Sequence, residues 1–290
     1  MSSNQANNES IQANTDSYLQ QLEESRPLQE LARPAINVLQ LPSGSRGLDA
    51  GCGIGHFTFW LAEAVGSGGH VIGLDIAPKF LDYARELADT IGLSEQTSFR
   101  EGNVDHLPFD DDSFDWAWSS SCVGYAPGDP LLSLKELMRV VKPRGCIALL
   151  AWSSEQLLPG YPLLETHLKA TPAGVAPFIE GKNPELHFSR ALGWFRQIGL
   201  RNPKVKTFVG DAHAPLSKEV RIALTSLFQM RWPGVESALS PEDLTVYERI
   251  CDTNSPDFLL NHPDYYAFFT YTMFWGEVPP KKLICEHAVV

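Results

Sequence analysis

The sequence predicts an α/β fold built as a doubly wound sheet, and three observations carry that reading. Residues 46–55, RGLDAGCGIG, join a short apolar run to an alternating glycine series, Gly51, Gly53 and Gly55, and a helical pattern opens at His56. Residues 70–75, HVIGLD, form a second apolar run ending in an acid, Asp75, which falls 20 residues after Gly55. Between 46 and 152 five such runs alternate with helical patterns. That order lays parallel strands side by side with helices on both faces.

The bulk properties narrow the function. With 290 residues and 43% hydrophobic content, the chain can bury one large core or two small ones. Its formal charge of −12 repels phosphate backbones, so nucleic acid is not an expected partner. Five scattered cysteines give neither a disulfide framework nor metal-ligand spacing. Reduced thiols in a cytoplasmic protein without a metal are the expectation. The polar N-terminus carries no signal-peptide pattern, and no apolar run is long enough to span a bilayer, so no membrane partner is expected.

Taken in order, residues 1–14 read as a polar tail. Over 15–45, Tyr18, Leu19, Leu22, Leu28, Leu31, Ile36 and Leu39 recur at helical spacing. Pro27 suits a helix start, while Pro34 kinks or restarts the helix. In the glycine series φ > 0 is accessible and a ligand can approach the backbone, and the first N–H groups of the helix from His56 face that loop. Strand, glycine turn and helix start form a nucleotide-binding arrangement, with a plain tight turn as the alternative. The spacing is not the dinucleotide G-x-G-x-x-G. Asp75, at a strand end, suits the two hydroxyls of a ribose, or else caps the helix that Pro78 opens. That helix runs over 79–91 and closes at Gly92. A third strand covers 97–102, the acidic run 110–115 is a solvated turn, and the fourth strand covers 116–119. Asp129 and Pro130 start a helix over 131–141, and the fifth strand is 146–152. Beyond it, 188–200 is helical, 204–210 and 267–275 are strand-like, and 280–290 is a loose tail. Two long inserts, 153–187 and 211–266, carry Tyr161, Phe178, Phe228, Trp232, Tyr247, Phe258 and Tyr265. They read as a cap over the carboxyl ends of the strands, or as a second small core.

Four motifs stand in register: DAGCGIG from Asp49, the strand-end Asp75, GNVDHLPF from Gly102, and ELMRVVKPRG from Glu136. Together they resemble the class I S-adenosylmethionine (SAM) dependent methyltransferases of the ubiquinone/menaquinone-biosynthesis-like (methyltransferase type 11) group, densely over 46–152. The resemblance implies a Rossmann-like seven-stranded sheet, six strands parallel and the last antiparallel, completed within 153–279 and capped by the insertions. It implies SAM as cofactor, held by Asp49, Gly51, Cys52, Gly53, Gly55, Asp75, Ile76, Asn103, Val104, Asp105 and Ser119. Asn103 stands where the family usually has Asp, and Arg144 replaces the first of two usual glycines. The N-terminal helices would fold over the SAM pocket and bring Tyr18 to it, where it otherwise simply packs.

The implied reaction is SN2 transfer of a methyl group to a small, partly apolar acceptor, in which alignment and desolvation do most of the catalysis. His56 is a candidate base beside the glycine loop, or a packing residue with no proton role. His106 lies in the adenine loop, as a contact residue or exposed, and the histidines His167, His187 and His213 cannot be ranked. A SAM- or nucleoside-binding regulatory module without methyl transfer is the alternative, which a broken loop or a missing ribose acid would have favoured. Neither oligomeric state nor the identity of the acceptor can be read from the sequence.

Overall fold

A computed structural model of the chain describes residues 17–125, 128–175 and 183–281. The expected tail at 1–14, most of that at 280–290, and Phe178 lie outside them. Helix α1 (17–24) leads into α2 (Arg26–Gln29), a 3-10 turn at Glu30–Ala32 and α3 (Pro34–Leu39). Pro27 and Pro34 both sit in first turns, where a missing N–H costs nothing, so Pro34 restarts the helix.

Strand β1 (Arg46–Ala50) is followed by α4 (His56–Val65), β2 (His70–Asp75), α5 (Pro78–Ile91) and β3 (Thr97–Glu101). Gly92 ends α5 in the left-handed region at φ 74°. Then come β4 (Phe114–Ser120), α6 (Pro130–Val140) and β5 (Val141–Gln156). The Asp129 carboxylate caps α6 by accepting from Leu131 N at 2.9 Å. The rest comprises α7 (Pro162–Lys169), α8 (Pro172–Val175), α9 (Ala191–Ile198), β6 (Arg201–His213), α10 (Lys218–Arg231), α11 (Pro241–Cys251) and β7 (Tyr266–Glu277).

The seven strands form one sheet, ordered β3-β2-β1-β4-β5-β7-β6. β7 is antiparallel to both neighbours and the other strands are parallel, as the family pattern implies. Two hydrophobic layers cover its faces. One carries Trp116, Trp118, Leu150 and Met273 against α3, α4 and α10, and the other carries Leu48, Ala117, Leu149 and Phe274 against α6 and α9. Among the described residues no helix is long and apolar enough to cross a membrane.

Three strands of the later half of the chain are longer than the sequence pattern suggested, and β4 also exceeds the expected 116–119. The fifth was expected over 146–152, the sixth over 204–210 and the seventh over 267–275. β4 stops pairing with β5 at Ser120–Leu150, but β5 and β7 stay paired to Gln156–Phe268, and β6 follows β7 to His213–Tyr266. The limits of both inserts move inward accordingly. The overshoot of six residues, about 20 Å at strand rise, makes a wall standing above the carboxyl end of the sheet. Pairing with β7 holds Ser154 and Gln156 extended although their side chains are polar and exposed, while Ser153, the bulged residue between Trp152 and Ser154, is tied to Thr270 through its hydroxyl. At the other end of β5, a register shift between Phe114 and Trp116 lets residues 142–145 turn, and Arg144 takes φ 69°, a conformation more natural to glycine.

Several of the insert aromatics pack on one another, as in the reading of a second small core. Phe228 meets Trp232 and Phe258 edge-on at 6.0 and 5.9 Å, and Trp232 meets Tyr247 at 6.4 Å. With Tyr265 they build a cap core continuous with one sheet layer.

Candidate active site

The site begins at the end of β1. Asp49 is 1% exposed, and its Oδ2 accepts from Thr58 Oγ1 at 2.6 Å, in the first turns of α4. Its Oδ1 is buried and has no hydrogen-bond partner among the described residues. Burial pushes this carboxyl up to about 7, and the nearby Asp75 adds to the rise while the Thr58 bond opposes it.

The loop after Asp49 is anchored on β2. Gly51 N and Cys52 N both donate to Leu74 O, at 2.8 and 3.0 Å, and Gly53 N donates to Asp75 Oδ2 at 2.9 Å. Two glycines have distinct reasons to be glycine. A Cβ on Gly51 would fall 2.4 Å from the Cys122 side chain, so this residue allows the loop to pack on the turn after β4. A Cβ on Gly53, at φ 54°, would meet only Leu22 at 3.9 Å, so there the backbone is bare toward an open cavity. Gly55 caps α4 at φ 87° and borders neither cavity described below.

Asp75 does not act as the cap of α5. That position belongs to Ala77, and Asp75 Oδ1 instead accepts from Ala77 N at 3.0 Å. Each Asp75 oxygen therefore holds one backbone N–H and keeps a lone pair for a ligand.

Two hollows meet at this loop. A cavity of about 580 Å³ runs from Asp49, Cys52, Gly53 and Asp75 toward β5 and β7. A second hollow, about 330 Å³, is bordered by Asn103, Val104, Asp105 and Ser133. Gly51, Asp75, Ile76 and Cys122 border both. Ile76 is 70% exposed, an unusual state for isoleucine that suits a side chain covering a flat ligand. Asn103 Oδ1 accepts from Asp105 N at 2.9 Å, and Asp105 Oδ1 accepts from Ser133 Oγ at 2.5 Å, so this short loop is internally braced. Arg139 braces it from below, donating to the carbonyls of Leu107 and Phe109, while Glu136 accepts from Leu107 N.

Of the residues expected at a cofactor, Ser119 is not brought to either hollow. It is 1% exposed, and its Oγ accepts from Val123 N at 3.1 Å, which fixes the turn after β4; its neighbours Ser120 and Ser121 reach the main cavity instead. Strand alternation turns Ser119 inward, a parity that a glance at the motif does not reveal.

The N-terminal helices close one side of the main cavity. Tyr18 packs its ring 5.8 Å from Phe80, and burial, then the Asp75 charge, raises its hydroxyl pKa. His56, 5% exposed, is held by a relay: Ser25 Oγ donates to Leu22 O, Gln29 Nε2 donates to Ser25 Oγ, and Gln29 Oε1 lies 3.1 Å from His56 Nδ1. Because the relay fixes Gln29 Oε1 as the acceptor, Nδ1 carries the proton and Nε2 has the lone pair. Burial, then Arg26, lowers the His56 pKa to about 4, so the ring is neutral near pH 7.

The far wall was not anticipated. Trp152 and Tyr271 face one another across β5 and β7, Trp152 stacks on Phe269 at 4.7 Å, and Tyr125 closes the side. Glu155, 3% exposed, accepts from Trp152 Nε1 at 2.5 Å and from Arg231 Nε at 2.6 Å. Arg231 ends α10 and also donates to Ala173 O and Gly174 O. A sequence reading misses this group because Trp152 and Glu155, three apart, belong on opposite strand faces. A bulge between Trp152 and Ser154 reverses the parity and puts both on the cavity side.

These features match comparisons with known proteins. The model of the family described as "Methyltransferase domain" matches residues 41–188, and the chain belongs to that family. Demethylmenaquinone methyltransferase of Bacillus subtilis is 28% identical over 194 residues, 62% of this chain and 81% of that protein. The enzyme of the same name from Bacillus cytotoxicus is 35% identical over 126 residues, 43% of this chain, which thus spans about half (52%) of that relative's length. Among solved structures, the YcgJ protein from Bacillus subtilis superposes with a TM-score of 0.53 at 18% identity, covering 87% of this chain and 99% of that one; this likeness concerns the fold.

The chain is a class I SAM-dependent methyltransferase. Its residues fit that cofactor. A buried carboxylate with an unpartnered oxygen suits a cationic group, Asp75 offers two free lone pairs to a diol, and the bare Gly53 backbone leaves room for close approach.

Proposed function

We propose that the protein moves a methyl group from SAM to a small-molecule acceptor by SN2 displacement, and that the acceptor occupies the cavity between Asp49 and the β5–β7 wall. The observation that carries this reading is the buried Asp49 carboxylate, which keeps one oxygen without a partner among the described residues and belongs to the lining of the same cavity as the glycine loop and Asp75. When bound, SAM supplies a methyl group already activated on a sulfonium. Asp49 holds the cationic end of the cofactor, Gly51 to Gly53 receive it along the backbone, and Asp75 takes the ribose hydroxyls. Asn103, Val104 and Asp105 border the adenine, with Ile76 over its junction with the ribose.

His56 accepts the acceptor's proton at Nε2, because the relay through Gln29 commits Nδ1 as a donor. A pKa of about 4 makes it a weak base, suited to an acceptor that is already acidic or that needs only orientation. Tyr18 and the N-terminal helices exclude water. The cavity beyond the loop leaves space for a second molecule, which supports transfer over a purely SAM-binding module. The curated relatives are named for demethylmenaquinone; for this chain a partly apolar acceptor and a cytoplasmic setting are parts of the same proposal.

Calorimetry with SAM tests the reading. Gly53→Asn keeps a left-handed backbone tolerable but fills the bare site, and should abolish binding without changing the melting temperature by more than a few degrees. Wild-type affinity in that variant would refute the assignment of the loop.

A further inference from the structure

Strand order sets the length of the main cavity. Asp49 lies on β1, Ser120 on the neighbouring β4, Trp152 and Glu155 on β5, and Tyr271 on β7. At about 4.8 Å per strand step, the far wall stands roughly 10–15 Å from Asp49. That is beyond the cofactor's reach in the reading above and within reach of an acceptor.

We propose that Glu155 and Arg231 form a charge filter at the acceptor end: they admit an uncharged acceptor that presents a hydroxyl or similar neutral donor to Glu155, and they exclude carboxylates and ammonium groups. This rests on the methyl-transfer reading for the role of the cavity, but not for the chemistry of its wall.

The argument begins with valence. A carboxylate has about four lone-pair sites. On Glu155, one on each oxygen is taken, by Arg231 Nε and Trp152 Nε1. The remaining sites of a side chain that borders the cavity call for a donor. Charge then selects among donors. Arg231 cancels Glu155, and behind them the salt bridge of Lys169 to Glu165 at 3.2 Å is also a balanced pair. A second anion or cation brought here would be buried without a counter-charge, which is costly. Shape selects further. Around the pair stand rings and apolar chains, Trp152, Tyr125, Tyr271, Leu227 and Met230. The acceptor body they fit is apolar, with its polar atom at the Glu155 end.

The test uses the full chain saturated with S-adenosylhomocysteine and three probes of one shape: 2-naphthol, 2-naphthoate and 2-naphthylmethylamine, titrated by calorimetry near neutral pH. We expect 2-naphthol to bind, with each charged probe at least about tenfold weaker, the least that an unpaired buried charge should cost. In Glu155→Gln the wall gains a net positive charge, and 2-naphthoate should overtake 2-naphthol. Leu227→Trp, which fills the far end, should abolish binding of all three. Equal affinities in the wild type, a charged probe binding best there, binding of none, or an unchanged order in a folded Glu155→Gln would each overturn the proposal. Should Glu155→Gln fail to fold, the wild-type order decides alone. SAM titrated separately tells the two readings apart: SAM binding without the probe order sinks only the filter, and the probe order without SAM binding sinks only the cofactor assignment.

Discussion

Single residues decide whether this site can hold a cation. Asp49 has its pKa raised to about 7, so a ligand that needs its carboxylate must displace a proton below that pH. SAM affinity should therefore rise about tenfold from pH 6 to pH 8, by linkage through a group titrating midway. Calorimetry in buffers of different ionisation enthalpy would detect the released proton. Asp49→Asn should bind SAM weakly and without that pH dependence; a flat profile in the wild type would show that Asp49 does not meet the cation. Asp75 makes a contrasting case. Asp75→Ala should lose about 2–3 kcal/mol of SAM affinity, the scale of hydrogen bonds to a charged group. Asp75→Asn is not a mild substitute, because its NH₂ would confront either Gly53 N–H or Ala77 N–H. Unchanged affinity in Asp75→Ala would reduce the residue to a brace of its own loop.

At the level of elements, Arg139 of the motif that begins at Glu136 shows how a charge can serve structure. It sits on α6, pairs with Glu136, and holds the carbonyls of Leu107 and Phe109. Arg139→Ala should speed exchange of the Leu107 amide and weaken SAM several-fold by loosening residues 103–109, while leaving the main cavity's probe binding intact. An unaltered exchange rate would remove the brace from the account. The elements legible in sequence were those whose pattern is local. β1, β2, α5 and α6 announce themselves by apolar runs, caps and glycines, and Asp49 and Asp75 by strand ends. The overshoot of β5 was not legible, because the polar Ser154 and Gln156 are extended by pairing with β7, more than 100 residues later. Ser119 and Ser120 differ only by strand parity, and Glu155 reaches the cavity only through a bulge. Gln29 matters through a relay that no spacing reveals.

For the whole molecule, the same buried carboxyl couples cofactor, pH and stability. Asp49 ordinarily titrates near 3.8 and in the fold near 7. Between those values the unfolded chain has released a proton that the folded chain still holds. The stability this group contributes is thus fully present below about pH 4, falls as pH rises toward 7, and is gone above it, a change on the order of 4 kcal/mol at most. Asp49→Asn, which has no proton to lose, should therefore be more stable than wild type at pH 8 in the absence of ligand. SAM should narrow the gap, because it binds the wild type more tightly than Asp49→Asn. At 100 times its dissociation constant it adds roughly 2.7 kcal/mol, about 4–5 °C in melting temperature for a chain of this size, and at one fixed SAM concentration the gain should be larger at pH 8 than at pH 6. Thermal melts of wild type and Asp49→Asn at both pH values, with and without SAM, give the full comparison. If wild type is the more stable apo protein at pH 8, Asp49 does not carry the strain assigned to it, and the site's cation must be held elsewhere.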